Sequence, residues 1–252
     1  MINIKMQIEY DGSAYNGWQK QKNTAKTLQE TLENAIQTTL KESCEVAGSG
    51  RTDKGVHAKG QVVTFACRNK PDFPMFLHHL NETLPSDIRV KSVEVVPRGF
   101  HARLSATGKT YVYYISAGED AEVFQRKYTY YIEETLCLEK MRQAAQRLVG
   151  THDFIGFSSL RKEELPENAS TIRTISDILI EEEGHRIKIT YKGNGFLYNM
   201  VRILTGTLIE VGMGKREATS VDAVIIERNR QLAGFTAPPQ GLFLWDVNYD
   251  KE

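Results

Sequence analysis

The sequence has few cysteines and no long apolar run, and these absences exclude two classes of protein. Its three cysteines (Cys44, Cys67 and Cys137) are too few and too widely spaced for a disulfide framework or a CxxC pair. No stretch of about 18 uncharged apolar residues is present, so we expect no membrane span. The first residues, MINIKMQIEY, alternate apolar and polar side chains as a strand does, unlike a signal peptide. These features predict a cytoplasmic protein.

The sequence also lacks net charge. It has 32 basic and 32 acidic residues, and this balance taken alone argues against a nucleic-acid partner. The distribution is uneven, because residues 12–29, 48–70 and 89–111 together contain thirteen basic residues and two acids. If the fold brings these windows together, they form a basic face that binds RNA phosphates. Otherwise the charges are scattered over a solvated surface.

The spacing of apolar residues predicts strands and helices in alternation along the chain. Residues 2–10 alternate with period two, and Thr27 with Glu30 forms a capping-box pattern before an amphipathic helix. A very apolar helix is predicted over residues 196–211. Short connections favour antiparallel pairing, so the predicted class is α+β with a mostly antiparallel sheet.

The same pattern predicts two α/β halves. The N-terminal half covers residues 1–116, an acid-rich connecting region covers 117–137, and the C-terminal half covers 138–252. The polar stretch 158–171 is predicted to be a surface loop.

Glycines are concentrated in the segment GSGRTDKGVHAKGQVVTF, residues 48–65. A simple turn needs one or two glycines, so four indicate backbone that approaches a ligand closely. The segment does not match a phosphate-binding P-loop, because Gly55 is followed by Val and His instead of Lys and Ser or Thr. A dinucleotide-binding GxGxxG fingerprint that starts at Gly48 would need its third glycine at position 53. Asp53 stands there, so this motif is excluded as well.

Two further kinds of site are excluded for the same segment. Ser49, Asp53 and His57 have the residue types of a hydrolase triad, but they lie too close in sequence to reach its geometry. Four histidines lack cysteine or carboxylate partners at metal-ligand spacing, so no metal site is predicted. They are His57, His78, His79 and His101.

Asp53 remains as a single carboxylate between Arg51 and Lys54. An aspartate here can cap its own loop in an Asx turn, or it can stay ionised as a nucleophile or base. Arg202 lies in the apolar helix GFLYNMVRILTGTLIEVG, which has no acid before Glu210. A buried guanidinium needs a carboxylate partner, and Asp53 is a candidate, unless Arg202 extends to solvent.

The strand KTYVYYI supplies an aromatic candidate. Tyr111 and Tyr113 point to one face and Tyr114 to the other. Tyr111 either packs against neighbouring strands or provides a platform on which a base stacks.

Five blocks of the sequence resemble the TruA family of tRNA pseudouridine synthases, in the same order and over the full length. They are YDGSAYNGWQ (10–19), GRTDKGVHA (50–58), FHARLSATGKTYVY (100–113), FLYNMVR (196–202) and APPQGLFL (237–244). The resemblance implies that Asp53 is the catalytic residue and that Tyr111 stacks on the target base. It also implies that Arg202 pairs with Asp53 and that Arg51 holds the flipped-out nucleotide.

The resemblance implies a reaction and a partner. Two α/β halves would form one extended mixed sheet with a central RNA-binding cleft, in a homodimer that binds tRNA. Uridines 38, 39 and 40 of the anticodon stem-loop would be converted to pseudouridine. This isomerisation needs no metal or cofactor. Asp53 would add to C6 of the base or to the sugar, or would remove the C2′ proton, and the sequence does not choose among these routes.

The basic windows supply further candidates for RNA contact. These are Lys20, Lys22, Lys54, His57, Arg68, Arg103 and Lys109. A non-catalytic RNA-binding module would use the same basic face and aromatic residues. Such a module would have no use for Asp53 and Arg202, so their presence favours the enzyme.

Overall fold

The computed structural model describes residues 1–118, 123–160 and 169–250. The chain forms two compact units. The first contains Met1–Thr107 and Phe243–Glu252, and the second contains Gly108–Leu242. The central residues of the loop predicted at 158–171 lie outside the described part of the chain.

The first unit is built on strands that surround the N-terminal strand. Its complete strands are β1 (Ile2–Tyr10), β2 (Ala47–Gly48), β3 (His57–Cys67) and β4 (Ile88–Val96). β1 lies between β3 and β4 and is antiparallel to both. The last strand, β10 (Leu242–Tyr249), pairs in parallel with β3 through Phe243 and Leu244. The strand order is therefore β4-β1-β3-β10.

Local sequence signals explain the elements of the first unit. Ile4, Met6 and Ile8 alternate with polar residues and are almost completely buried, as period-two patterning predicts. Helix α1 (Leu28–Leu40) begins after Thr27, whose hydroxyl accepts a hydrogen bond from the Glu30 amide. Helix α2 (Phe73–Thr83) begins after Asp72, whose carboxylate caps the Met75 amide at 3.0 Å. Both are standard N-caps.

Within the described residues, the second unit combines mostly antiparallel strands with three α-helices. Its strands are β5 (Ala106–Ala117, of which the first two residues belong to the first unit), β6 (Tyr130–Ile132), β7 (Gly150–Asp153), β8 (Ile172–Glu183) and β9 (Arg186–Gly193). Their order is β5-β9-β8-β7, and β6 pairs in parallel with β5. The helices are α3 (Leu138–Leu148), α4 (Met200–Gly212) and α5 (Ser220–Glu227).

Helix α4 forms the centre of the second core. Met200, Ile203, Leu204 and Leu208 are fully buried, and α3 packs against both α4 and β8. The helix begins at Met200, four residues later than predicted, because Asn199 before it adopts a left-handed conformation with φ of 59°. In the part of the chain that the structure describes, no helix is long and apolar enough to span a bilayer.

The predicted α+β class, with a mixed and mostly antiparallel sheet, is confirmed. The division of the chain differs from the one expected at residues 117–137, because the compact units separate at Thr107 and the C-terminal strand belongs to the first unit. A high content of acidic residues indicates that a segment is exposed to solvent. A compact unit is defined by which residues contact one another, and composition does not show those contacts. The pairing of β10 with β3 makes the last strand part of the first unit.

Candidate active site

The glycine-rich loop ends in a tight turn headed by Asp53. The Val56 amide donates to the Asp53 carbonyl oxygen at 3.1 Å, and Gly55 occupies the third turn position with φ of +79°. This φ is strained for any residue with a side chain, which explains the glycine. Asp53 is half-buried, whereas Arg51 and Lys54 are exposed. The turn thus begins at a half-buried carboxylate whose basic neighbours in sequence are solvent-exposed.

Buried polar side chains hold the backbone that leads to Asp53. The Ser49 hydroxyl donates to Oε1 of Gln61 at 2.6 Å, and Nε2 of Gln61 donates to the Gly50 carbonyl at 2.8 Å. The Tyr10 hydroxyl lies 2.8 Å from Oγ1 of Thr52. We call Ser49, Gln61, Tyr10 and Thr52 the loop-anchoring network. Burial raises the pKa of Tyr10 well above its ordinary value, so the hydroxyl stays protonated.

The segment after β1 packs directly against the same loop. The Trp18 amide donates to the Thr52 carbonyl at 2.9 Å. Gly17 has φ of +92°, and a Cβ atom there would lie 2.9 Å from the Thr52 carbonyl oxygen. The close approach of these two backbone segments therefore explains the glycine at position 17 of the YDGSAYNGWQ block.

His57 is a structural residue in this conformation. Its ring is fully buried and stacks on Phe243 with centroids 4.7 Å apart. Nδ1 accepts a hydrogen bond from the Gly12 amide at 3.1 Å, and Oδ1 of Asp11 also lies 3.1 Å from it. The prediction of direct RNA contact by His57 is not supported, because the ring is shielded from solvent.

The other predicted RNA contacts of the first unit are accessible. Lys20, Lys22, Lys54, Arg68 and Arg103 are all exposed. Lys20 forms a surface ion pair, since its Nζ lies 3.3 Å from Oε2 of Glu33.

Tyr111 and Lys109 lie on β5, in the second unit. Tyr111 pairs with Tyr191 of β9, and its ring meets Phe196 edge-on with centroids 5.2 Å apart. The side chain is 8 % exposed. Lys109 is half-buried. Tyr111 therefore has a substantial packing role within its unit.

Arg202 lies in the first turn of α4, where two hydrogen bonds fix its guanidinium. Nε donates to the Ala237 carbonyl at 2.7 Å, and Nη1 donates to Oδ1 of Asn199 at 2.9 Å. The Ala237 amide returns a bond to the Arg202 carbonyl at 3.0 Å. The arginine is half-buried, and these two acceptor oxygens belong to its own unit. Pairing with Asp53, which belongs to the first unit, stays a prediction.

Sequence reasoning missed two groups of residues. The loop-anchoring roles of Tyr10, Thr52 and Gln61 were not predicted, although a glutamine inside the apolar strand after residue 60 was a usable signal. The spacing argument about the histidines overlooked Glu82, whose carboxylate oxygens lie 3.4 Å from ring nitrogens of both His78 and His79.

Comparison with known proteins supplies the family. The family described as tRNA pseudouridine synthase matches residues 6–104 and 144–250, which include Arg51, Asp53 and Arg202 but not Tyr111. The chain is 44 % identical over 249 residues to tRNA pseudouridine synthase A of Acetivibrio thermocellus, covering 99 % of this chain and 100 % of that one.

Two further relatives match over similar lengths. tRNA pseudouridine synthase A 2 of Clostridium perfringens is 43 % identical, with 99 % of this chain and 100 % of that one covered. tRNA pseudouridine synthase A of Bacillus subtilis is 40 % identical with the same coverage.

Proposed function

Because this chain belongs to the tRNA pseudouridine synthase family, we propose that it isomerises uridine to pseudouridine in tRNA. The proposal extends to uridines 38, 39 and 40 of the anticodon stem-loop, on the strength of the five blocks that resemble the TruA family. It also assigns Asp53 as the catalytic residue. The single observation that carries this assignment is the position of Asp53 at the head of a turn, where hydrogen bonds from Tyr10, Gln61 and Trp18 hold the preceding residues.

The reaction is an intramolecular rearrangement. The N1–C1′ bond of uridine breaks, the uracil ring turns, and C5 forms a new bond to C1′. The C5 proton is lost and N1 gains a proton, so atoms and electrons balance without an oxidant or a group donor.

Asp53 has the chemistry that this rearrangement needs. An ionised carboxylate attacks C6 of the base or C1′ of the sugar as a nucleophile, or removes the C2′ proton as a base. Arg51 and Lys54, which flank it in sequence and are exposed, favour the ionised form through their positive charge. The loop-anchoring network fixes Gly50 and Thr52, and a fixed backbone keeps the carboxylate aimed at the reacting atoms.

The remaining site residues would hold the substrate. The target base must leave the RNA stack before it can react. We assign the Tyr111 ring as the surface on which the base stacks and Arg51 as the cation that holds the flipped nucleotide. Arg202, whose planar head group is already oriented by Ala237 and Asn199, would pair with the Asp53 carboxylate.

The test is the substitution Asp53→Asn. It keeps the shape of the side chain but removes the charge and the capacity to act as nucleophile or base. We expect pseudouridine in unmodified tRNA, detected by chemical labelling and primer extension, to fall to background while tRNA still binds. The matched control is Asp246→Asn, an exposed aspartate on β10, which should retain full activity.

The same experiment separates the enzyme from a non-catalytic RNA-binding module. A binding module would produce no pseudouridine even as the wild-type protein. Activity that persists in Asp53→Asn would leave the family function in place and overturn the assignment of Asp53. Transcripts with cytidine at positions 38, 39 or 40 would identify which uridines are used.

We further propose that the protein acts as a cytoplasmic homodimer, as the TruA resemblance implies. Light scattering of the purified protein, alone and with tRNA, measures the number of chains in the complex. A single chain bound to tRNA would contradict this part of the proposal.

A further inference from the structure

Helix α2 presents two imidazoles and a carboxylate to solvent at one place. Nε2 of His78 lies 3.4 Å from Oε1 of Glu82, and Nδ1 of His79 lies 3.4 Å from Oε2 of the same side chain. The spacings are i,i+4 and i,i+3, which bring side chains together on a helix. One ligand atom from each residue lies within 4.8 Å of the other two.

These separations match the coordination sphere of a transition-metal ion. A tetrahedral zinc site has ligand bonds of about 2.0–2.2 Å, so adjacent ligand atoms lie about 3.4 Å apart. Each imidazole nitrogen lies at that distance from a different oxygen of Glu82, His78 from Oε1 and His79 from Oε2, so the carboxylate faces the ion with both oxygens. The histidine rings, with centroids 5.4 Å apart, have only to turn slightly towards each other. The three side chains are more than half exposed, so rotamer changes there meet little resistance.

We propose that His78, His79 and Glu82 form a site for a divalent transition-metal ion such as Zn²⁺. Three protein ligands leave the fourth tetrahedral position for water or an external ligand. The site borders a groove of about 510 Å³, which is also lined by Asn81, Arg89 and Lys91. The groove gives space for that fourth ligand.

The ligand set defines the class of ion. Imidazole nitrogen suits zinc, nickel and copper, whereas magnesium and calcium prefer oxygen ligands alone. None of the three residues is among those assigned to the rearrangement or to RNA contact. The metal site is therefore independent of the proposed function, and its test does not depend on activity.

The test is titration of the intact, chelator-free protein with zinc chloride in a calorimeter. We expect one zinc ion per chain for the wild-type protein. His78→Ala, His79→Ala and Glu82→Gln should each weaken binding by about tenfold or more, since each alanine removes a ligand nitrogen and glutamine replaces an anionic ligand by a neutral amide. The matched control is His185→Ala, an exposed histidine in the second unit, which should bind zinc as the wild type does.

Two controls keep the result interpretable. Thermal melts should show that the variants stay folded, because the three side chains are exposed and contribute little to the core. In the wild-type protein, zinc should shift the imidazole ¹⁵N resonances of His78 and His79, and excess magnesium chloride should not reverse that shift.

Several outcomes would overturn the proposal. Absence of zinc binding to the wild type is one. Full binding by the His78→Ala, His79→Ala double variant is another, because the ion would then lie elsewhere, for example on the exposed thiol of Cys137. Displacement of zinc by magnesium would also contradict ligation by imidazoles.

Discussion

The hydroxyl of Tyr10, at the end of the first strand, lies 2.8 Å from Oγ1 of Thr52, the residue directly before Asp53. The two residues are 42 positions apart in the chain, and the hydrogen bond between them is buried. It joins the core strand β1 to the backbone that carries the proposed catalytic carboxylate. The position of Asp53 therefore depends on contacts formed deep in the first unit.

Tyr10→Phe should lower both stability and activity. The change leaves the Thr52 hydroxyl without its buried partner, at a cost of about 1–3 kcal/mol in the free energy of unfolding. We expect kcat to fall more than the affinity for tRNA, because phosphate contacts are untouched. Urea unfolding and steady-state kinetics measure the two effects.

The control for Tyr10→Phe is Tyr15→Phe. The Tyr15 hydroxyl also makes a hydrogen bond within the first unit, donating to Oδ1 of Asp87 at 2.6 Å, in the connection between α2 and β4. Its removal should lower stability but keep kcat, because Asp87 does not hold the backbone that leads to Asp53. Equal reduction of kcat in both variants would show that Tyr10 acts through general stability and not through the loop.

Substitutions of Tyr111 should separate the ring from the hydroxyl. Tyr111→Phe keeps the stacking surface and should retain RNA binding, whereas Tyr111→Ala removes it at a cost of about 1–3 kcal/mol in binding. Filter binding and kinetics with tRNA are the measurements. An inactive Tyr111→Phe would assign a role in proton transfer to the hydroxyl.

Tyr131→Ala serves as the control, since Tyr131 is a partly exposed tyrosine of the neighbouring strand β6. Full activity of Tyr111→Ala would show that Tyr111 serves only in packing against Phe196.

Arg202→Lys should reduce kcat with little change in tRNA affinity. Lysine keeps the positive charge but has no planar fork with which to orient a carboxylate. It also cannot reproduce the paired bonds to Ala237 and Asn199. If Arg202 acts through Asp53, the double variant with Asp53→Asn should be no worse than Asp53→Asn alone.

Arg216→Lys is the control for Arg202→Lys. Arg216 is also partly buried, and its Nη1 donates to the Leu232 carbonyl at 2.9 Å. Its substitution should lower stability without lowering kcat. Unchanged kcat in Arg202→Lys would contradict its pairing with Asp53.

Affinity for tRNA should fall steeply with salt concentration, because basic side chains that contact phosphates release counterions. The double substitution Lys22→Glu and Arg68→Glu should raise KM. It should also make the slope of log K against log salt concentration shallower, by about one for each phosphate contact that the variant loses. Lys127→Glu with Lys140→Glu, in the second unit and outside the basic windows, should leave the slope unchanged. A salt-independent affinity would contradict the basic face.

Sequence periodicity alone determined the local elements of this protein. The alternation in β1 and the Thr27 cap of α1 are where they were predicted, because a strand face or a helix cap depends on residues within a few positions of each other. The α+β class followed from the same patterns. The GRTD block and its resemblance to the TruA family directed attention to Asp53 without any structure.

Only the tertiary structure decided what surrounds that residue. His57 lies within the GRTDKGVHA block and Gln61 lies three residues after it. Nothing in the local sequence shows that both side chains are fully buried, with His57 stacked on Phe243 and Gln61 hydrogen-bonded to Gly50. The pairing of β10 with β3 joins segments almost 190 residues apart. Such contacts have no period in the sequence, because their formation depends on how complete elements pack and not on neighbouring residues.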